Sequence, residues 1–262
     1  MIFVNDILIE KNKFPDGTLL MKPNNIYHFS KVYPLHITWL YEDDSEIFAL
    51  VCLKRHLDQF YNSFCLEMPY IPNARMDRVK NNEDVFTLKY FCEIINFLNF
   101  DQVFVRDAHS NVSLALLNNV VNNNVDYYIA KALELSNAEA LFFPDEGAMK
   151  RYFEGACKPY AFGMKKRDWE TGKILNLDII NSENIINKDV LIVDDICSRG
   201  GTFFYAAKAL KEAGAKNISL YVTHLEKTVF DGEMFSSGLI DKIYTTESIY
   251  TNWKHCDKIC VL

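Results

Sequence analysis

The chain has 262 residues, 49% of them hydrophobic and 24% charged, with a formal net charge of -7 at pH 7. That length predicts two domains of ordinary size, and the composition is that of a globular protein with a substantial core. The acidic balance excludes a general nucleic-acid binder, although a local basic site for metal-nucleotide substrates remains compatible with it. The seven cysteines are scattered without a CxxC pair. An odd number in a chain this long argues for reduced thiols in a cytoplasm rather than a disulfide framework. No apolar run approaches membrane-spanning length, and residues 1–6 lack the basic and long apolar segments of a signal peptide.

Over residues 1–65, short runs read as strands: Ile2-Phe3-Val4, Ile7-Leu8-Ile9, Ile37-Thr38-Trp39-Leu40 and Ile47-Phe48-Ala49-Leu50-Val51. Phe14-Pro15-Asp16-Gly17-Thr18 is a turn between them, and residues 54–64 read as helix. Leu66-Glu67-Met68-Pro69-Tyr70-Ile71-Pro72-Asn73-Ala74-Arg75-Met76-Asp77-Arg78 starts as a strand and ends in charge. Arg75 has a planar guanidinium suited to phosphate or a purine ring, though Arg and Asp near a strand end also form plain surface ion pairs. An amphipathic helix follows over Val85–Phe97, with Val85, Leu88, Phe91, Cys92, Ile95 and Leu98 on its apolar side. The strand Gln102-Val103-Phe104-Val105 then leads into Arg106-Asp107-Ala108-His109-Ser110. A histidine just beyond the carboxyl end of a parallel strand stands where α/β sheets place their sites.

The asparagine-rich stretch 118–128 marks a domain boundary, giving domains 1–121 and 122–262. Beyond it, Tyr128–Leu135 reads as helix, Ala140–Phe143 as strand, Pro144-Asp145-Glu146-Gly147-Ala148 as a turn and Ala148–Cys157 as helix. The strand Tyr160–Met164 runs into the basic Lys165-Lys166-Arg167. Further strands are expected at Ile218–His224, Ile240–Thr246 and Ile259–Leu262. Both halves read as βα units, consistent with two copies of a related fold.

The most informative stretch is Asp189–Gly214. Val190-Leu191-Ile192-Val193 is too densely apolar for a half-exposed strand and predicts one buried on both faces of a parallel sheet. Asp194 and Asp195 follow, then the small turn Ile196-Cys197-Ser198-Arg199-Gly200-Gly201-Thr202. A helix begins there, with Phe203, Ala206, Ala207 and Leu210 on one face and Gly214 at its C-terminal end. A glycine-bearing turn into a helix N-terminus presents unpaired N–H groups and the positive end of the dipole, so it suits a phosphate. Two acids repel phosphate but suit sugar hydroxyls or a hydrated divalent metal. Together these features point to a ribose phosphate. No lysine follows the glycines, so this is not a Walker loop.

VLIVDDICSRGGT resembles the ribose-phosphate motif of type I phosphoribosyltransferase folds. The order of the other motifs narrows the resemblance to the ribose-phosphate pyrophosphokinases, over roughly residues 14–262. It implies an α/β protein of two phosphoribosyltransferase-like domains, each with a central parallel sheet flanked by helices. The N-terminal domain would bind ATP and the C-terminal domain the ribose phosphate. The reaction implied is Mg²⁺-dependent transfer of diphosphate from ATP to the 1-hydroxyl of a ribose 5-phosphate group, with release of AMP.

Residue by residue, the resemblance places Phe14, Asp16, Arg75, Asp77, Arg78 and His109 at ATP, with His109 and Asp145 at the metal. Asp145, Asp194, Asp195, Cys197, Ser198, Arg199, Gly200, Gly201 and Thr202 fall at the ribose phosphate. Lys165 and Arg167 begin the catalytic loop. A homo-oligomer is implied, because the Phe-x-Asp-Gly-Glu loop of the family serves a neighbouring subunit. Thr18 stands where that loop has Glu, and Asn73 and Met76 replace the usual Tyr and Gln. Ser198-Arg199-Gly200 replaces Asp-Thr-(Ala/Gly), which removes an acid and adds a cation. That exchange points to an acceptor larger than ribose 5-phosphate, such as ADP-ribose, and so to NAD metabolism. Two alternatives stay open: a phosphoribosyltransferase that consumes the activated sugar, and a non-catalytic synthetase-like subunit.

Overall fold

The computed structural model describes residues 1–24, 26–153, 158–167, 174–249 and 256–262, with the backbone alone at 165–167 and 174–177. The chain divides into two compact units, one built on Met1–Asn124 and the other on Val125–Glu247.

The first unit runs β1 (Ile2–Val4), β2 (Ile7–Leu8), β3 (Lys11–Lys13), β4 (Leu19–Met21), β5 (Leu35–Trp39), α1 (Ser45–Leu57) and β6 (Phe64–Glu67). It continues with α2 (Thr87–Phe97), β7 (Gln102–Arg106), α3 (Asn111–Leu116) and β8 (Val120–Asn123). Its six-stranded sheet has the order β2-β1-β5-β6-β7-β8, and β3 and β4 form a hairpin of their own. Strands β5 to β8 are parallel, with Leu35 opposite Phe64, Cys65 opposite Gln102 and Val103 opposite Val120. Leu88, Phe91, Cys92 and Ile95 put one face of α2 into the core beside Trp39 and Leu66. Each such large apolar side chain contributes about 1.5–3 kcal/mol.

Several expectations change here. Ile47–Val51 is not a strand but lies inside α1. The buried positions Glu46, Ala49, Leu50, Leu53, Lys54 and Leu57 follow the helical spacing i, i+3, i+4, while Phe48 is exposed. The helix stops at Leu57 rather than reaching residue 64, since Phe64 already opens β6. Val85 precedes α2 and is exposed, so it is no part of that helix's apolar face. The asparagine-rich stretch contains an edge strand, β8.

Glu46 is the main buried charge of this unit, 1% exposed. It accepts from Trp39 Nε1 at 2.8 Å and from the Glu42 N–H at 2.9 Å, and it pairs with the Met1 ammonium at 2.6 Å and with Lys11. Burial alone would raise its pKa. The hydrogen bonds from Lys11, the Met1 ammonium and Trp39 outweigh that and hold the carboxyl at about 2.

The second unit runs α4 (Asp126–Ser136), β9 (Ala140–Phe143), α5 (Glu146–Tyr152), β10 (Tyr160–Arg167), β11 (Ile174–Ile180) and β12 (Val190–Cys197). It continues with α6 (Gly201–Glu212), β13 (Ile218–Leu225), α7 (Glu233–Ser236), β14 (Lys242–Thr245) and β15 (Ile259–Val261). The seven-stranded sheet has the order β11-β10-β9-β12-β13-β14-β15 and is parallel except for β11.

Strand β12 is central, and its alternating side chains build two cores. Val190 and Ile192 join Phe203, Ala206, Ala207 and Leu210 of α6 on one face. Leu191 and Val193 join Ile129 and Ala132 of α4 and Tyr152 of α5 on the other. A sheet covered on both faces is why the strand reads as a continuous apolar run.

Helix α6 ends in a Schellman motif: Ala215 N–H donates to the Leu210 carbonyl at 3.0 Å and Gly214 N–H to that of Lys211 at 3.1 Å, with Gly214 at φ 95. Strand β12 extends through Ile196 and Cys197, which had read as turn. Helix α5 begins at Glu146 rather than Ala148, because Asp145 caps it; its expected end at Cys157 lies outside the described residues. Strand β11 had no counterpart in the sequence reading; it pairs antiparallel with β10 as the edge of the sheet.

Candidate active site

The carboxyl end of β12 carries the acids, and the turn beyond it carries the donors. Asp194 Oδ1 accepts from the Asp195 N–H at 3.0 Å, and Asp195 Oδ1 from the Ile196 N–H at 2.9 Å. Arg151, from α5, reaches Asp195 Oδ2 at 3.2 Å. Asp145 caps α5 by accepting from the Ala148 N–H at 3.0 Å. Burial, and then the charges of Asp195 and Asp145, push the Asp194 carboxyl well above the usual carboxylate range. The unit therefore brings the charges of Asp145 and Asp195 close to Asp194 and pairs Asp195 with Arg151, which the sequence reading did not single out.

Ser198, Arg199 and Gly200 form the turn into α6. Gly200 caps the helix at φ 75, a conformation that favours glycine, and a methyl there would meet the Met234 Sδ at 2.6 Å. Having no side chain, Gly200 leaves the first-turn amides of α6 uncapped by its own residue, which is the arrangement an anion uses. Gly201 is open, with nothing within 4 Å of where its Cβ would be, and Arg199, Gly201 and Thr202 are exposed. Cys197 is buried beneath the turn.

The turn is held from behind by the chain after β13. The Glu226 N–H donates to the Cys197 carbonyl at 2.9 Å. The hydroxyls of Ser198 and Thr228 are 2.9 Å apart, and Thr228 donates to Glu226 Oε2 at 3.3 Å. Glu226, Thr228, Gly232 and Met234 had no sequence signal, because their roles arise from contacts with residues far away in the sequence. His224, Thr245 and Thr246, at the ends of the neighbouring strands, are buried; the Thr246 hydroxyl donates to the Thr223 carbonyl at 2.9 Å.

Lys165 and Arg167 lie in the last part of β10, opposite Leu177 and Ile174 of β11, with a register shift between Lys166 and Arg167. Their side chains, and the whole of 168–173, are outside the described residues.

The other predicted stations all belong to the first unit. Arg75, Asp77 and Arg78 follow β6, and His109 follows β7. These strands are adjacent and parallel, and the Arg106 N–H donates to the Pro69 carbonyl at 3.0 Å, so both segments leave the same edge of the sheet. Arg75 is exposed, His109 is half-buried, and Arg78 pairs with Asp77 at 3.2 Å.

Phe14 and Asp16 stand at the tip of the β3–β4 hairpin. Asp16 Oδ1 accepts from the Thr18 hydroxyl at 2.7 Å and the Thr18 N–H at 3.0 Å, which holds its carboxyl below the ordinary value. Phe14 is 49% exposed. Among the described residues no three His, Cys, Asp or Glu side chains form a metal-binding cluster.

A parallel sheet whose central strand carries paired acids and runs through a glycine turn into a helix is the arrangement of a phosphoribosyltransferase fold, here with a second α/β unit before it. The phosphoribosyl transferase domain family matches residues 161–260. The ribose-phosphate pyrophosphokinase of Mycoplasma pneumoniae is 27% identical over 274 residues, covering 97% of this chain and 80% of the relative. That of Pyrococcus abyssi is 27% identical, covering 91% of this chain and 81% of the relative. The crystal structure of phosphoribosylpyrophosphate synthetase from Mycobacterium smegmatis shares the fold, with a TM-score of 0.76 at 15% identity over 97% of this chain and 85% of that one. Over nearly its whole length the chain is thus similar to ribose-phosphate pyrophosphokinases, which are diphosphotransferase enzymes.

Proposed function

We propose that the chain transfers the β,γ-diphosphoryl group of ATP to the 1-hydroxyl of a ribose 5-phosphate group. The hydroxyl oxygen forms a bond to the β-phosphorus, the α–β bridge of ATP breaks, and AMP leaves. The observation that carries this reading is Asp194 and Asp195 at the carboxyl end of β12, followed at once by the Gly200 turn into α6. The acids suit the ribose 2- and 3-hydroxyls, and Arg199, Thr202 and the amides at the Gly201 end of α6 suit the 5-phosphate.

The first unit, with Arg75, Asp77, Arg78 and His109, serves ATP. Lys165 and Arg167 neutralise charge on the transferred group, where positioning and electrostatics dominate phosphoryl-type transfer. The carboxylates of Asp145, Asp194 and Asp195 are hard oxygen donors of the kind Mg²⁺ takes together with substrate phosphates, whereas the His109 nitrogen is a less typical partner for it. Asp145 would hold Mg²⁺, which would supply charge neutralisation to those phosphates. A homo-oligomer in the cytoplasm is part of the same reading, with the half-exposed Phe14 offered to the adenine bound by a neighbouring subunit.

The acceptor is the finer question. Arg199 adds an exposed cation at the mouth of the phosphate turn, and Gly201 leaves open space beside it. Both favour a 5-substituted ribose that carries a diphosphate, such as ADP-ribose. Incubation with Mg²⁺, ATP and either ribose 5-phosphate or ADP-ribose tests the proposal. AMP together with an acceptor heavier by one diphosphoryl group, weighed by mass spectrometry, supports it; absence of AMP with both acceptors refutes it.

A further inference from the structure

The hydrogen bonds behind the phosphate turn run in one direction only. An ionised carboxylate accepts and never donates, so the Thr228 proton is committed to Glu226 Oε2 at 3.3 Å. Thr228 then has only lone pairs left for Ser198, 2.9 Å away. It follows that Ser198 is the donor of that pair and that its single proton points back toward Thr228. The hydroxyl that heads the phosphate turn therefore faces an incoming anion with lone pairs. Its donors at the mouth are the α6 amides, Thr202 and the Arg199 cation.

We infer that Glu226 and Thr228 are specificity-determining positioning residues, which withhold the Ser198 proton from the 5-phosphate and so disfavour a terminal, doubly charged phosphate. This rests on the ribose-phosphate reading of the turn and deepens it. A terminal phosphate monoester concentrates more charge on one phosphorus than a substituted phosphate does, and it gains most from each added donor. A turn with Arg199 in front and a committed serine behind ranks the substituted phosphate first. Releasing the serine proton improves the terminal phosphate selectively.

Thr228→Val removes the acceptor while keeping the Glu226 charge, and Glu226→Gln turns a pure acceptor into a group that also donates. Each is expected to lower KM for ribose 5-phosphate by about tenfold, the scale of one hydrogen bond to a charged group, with kcat little changed. The preference for ADP-ribose over ribose 5-phosphate falls by the same factor. Thr228→Ser keeps the hydroxyl and is expected to match the parent protein. Calorimetric titration with inorganic phosphate gives a readout independent of turnover, and circular dichroism checks that each variant folds. If only Glu226→Gln tightens binding, the effect is loss of a nearby charge and the relay is overturned. Weaker binding in Thr228→Val also overturns it, since Thr228 is then a plain support for Ser198. Phosphate binding that tightens in both variants without AMP release in any form keeps the relay and removes the diphosphotransfer reading. No phosphate binding in any form overturns the relay.

Discussion

Gly232 lies so close to the backbone of Arg199 that a Cβ on Gly232 would sit 1.8 Å from the Arg199 carbonyl oxygen and 2.7 Å from its carbonyl carbon. The φ of Gly232 is -101, open to any residue, so space and not conformational freedom demands glycine here. Together with the Ser198–Thr228 contact, this close approach makes the segment after β13 the back wall of the turn between β12 and α6.

Gly232→Ala is therefore expected to displace the turn. Overpacking of this kind costs about 1–3 kcal/mol, and the KM for the phosphorylated acceptor should rise along with a lower melting temperature. Gly201→Ala is the matched control, because nothing lies within 4 Å of its Cβ. Its melting temperature should stay within about 0.5 kcal/mol equivalent of the parent. Equal destabilisation by the two changes would show that the wall is not what holds the turn.

How far each feature could be read in advance follows from where its cause lies. The Val190–Val193 strand was legible because burial on both faces leaves an unbroken apolar run. The turn after it was legible because its acids, glycines and threonine are contiguous. Ile47–Val51 misled because five successive apolar residues carry no period; the helical signal lay in Glu46 and Lys54, two charged residues that are buried and so broke the expected pattern. Strand β11 was missed because its Ile174–Ile180 run sits at an antiparallel edge, without the density of the parallel strands. Arg151, Thr228 and Gly232 act across distances in sequence that no local pattern reports.

Glu46 carries a prediction about acid stability. Its folded pKa of about 2 lies below the unfolded value, so it stabilises the fold fully above the unfolded carboxylate range. That contribution is lost as pH falls through the window from about 4.3, the usual Glu value, toward the folded value. Glu46→Gln leaves Lys11 short of its buried partner and is expected to cost about 3 kcal/mol at neutral pH. Urea titrations at pH 7 and near pH 3 check this, with the gap between parent and variant shrinking at the lower pH.

Asp194 behaves with the opposite sign. Its folded pKa is raised, so the folded state retains a proton that the unfolded state releases above about 3.9. Stability is highest below that value and declines as pH rises through the folded pKa. Asp194→Asn removes the decline, and the variant should melt higher than the parent at neutral pH while losing diphosphotransfer. A variant that loses both stability and activity would mean that Asp194 is needed for the fold rather than kept at a cost for the sugar.

Lys165 and Arg167 are expected to separate chemistry from folding. Both belong to the end of β10, which pairs with β11 through backbone groups. Replacing either with Ala should leave the melting temperature of the protein near that of the parent. If the two cations meet charge that develops as the diphosphoryl group moves, each loss should lower kcat by about 10²–10³-fold, the scale seen when one preorganised electrostatic contact is removed. KM for ATP should change much less, because the proposal assigns ground-state ATP to the first unit's Arg75, Asp77 and His109. Single-turnover measurement of AMP formation isolates the chemical step from product release. A rise in KM with kcat unchanged would place Lys165 and Arg167 in ground-state binding and move the transition-state role elsewhere in the chain.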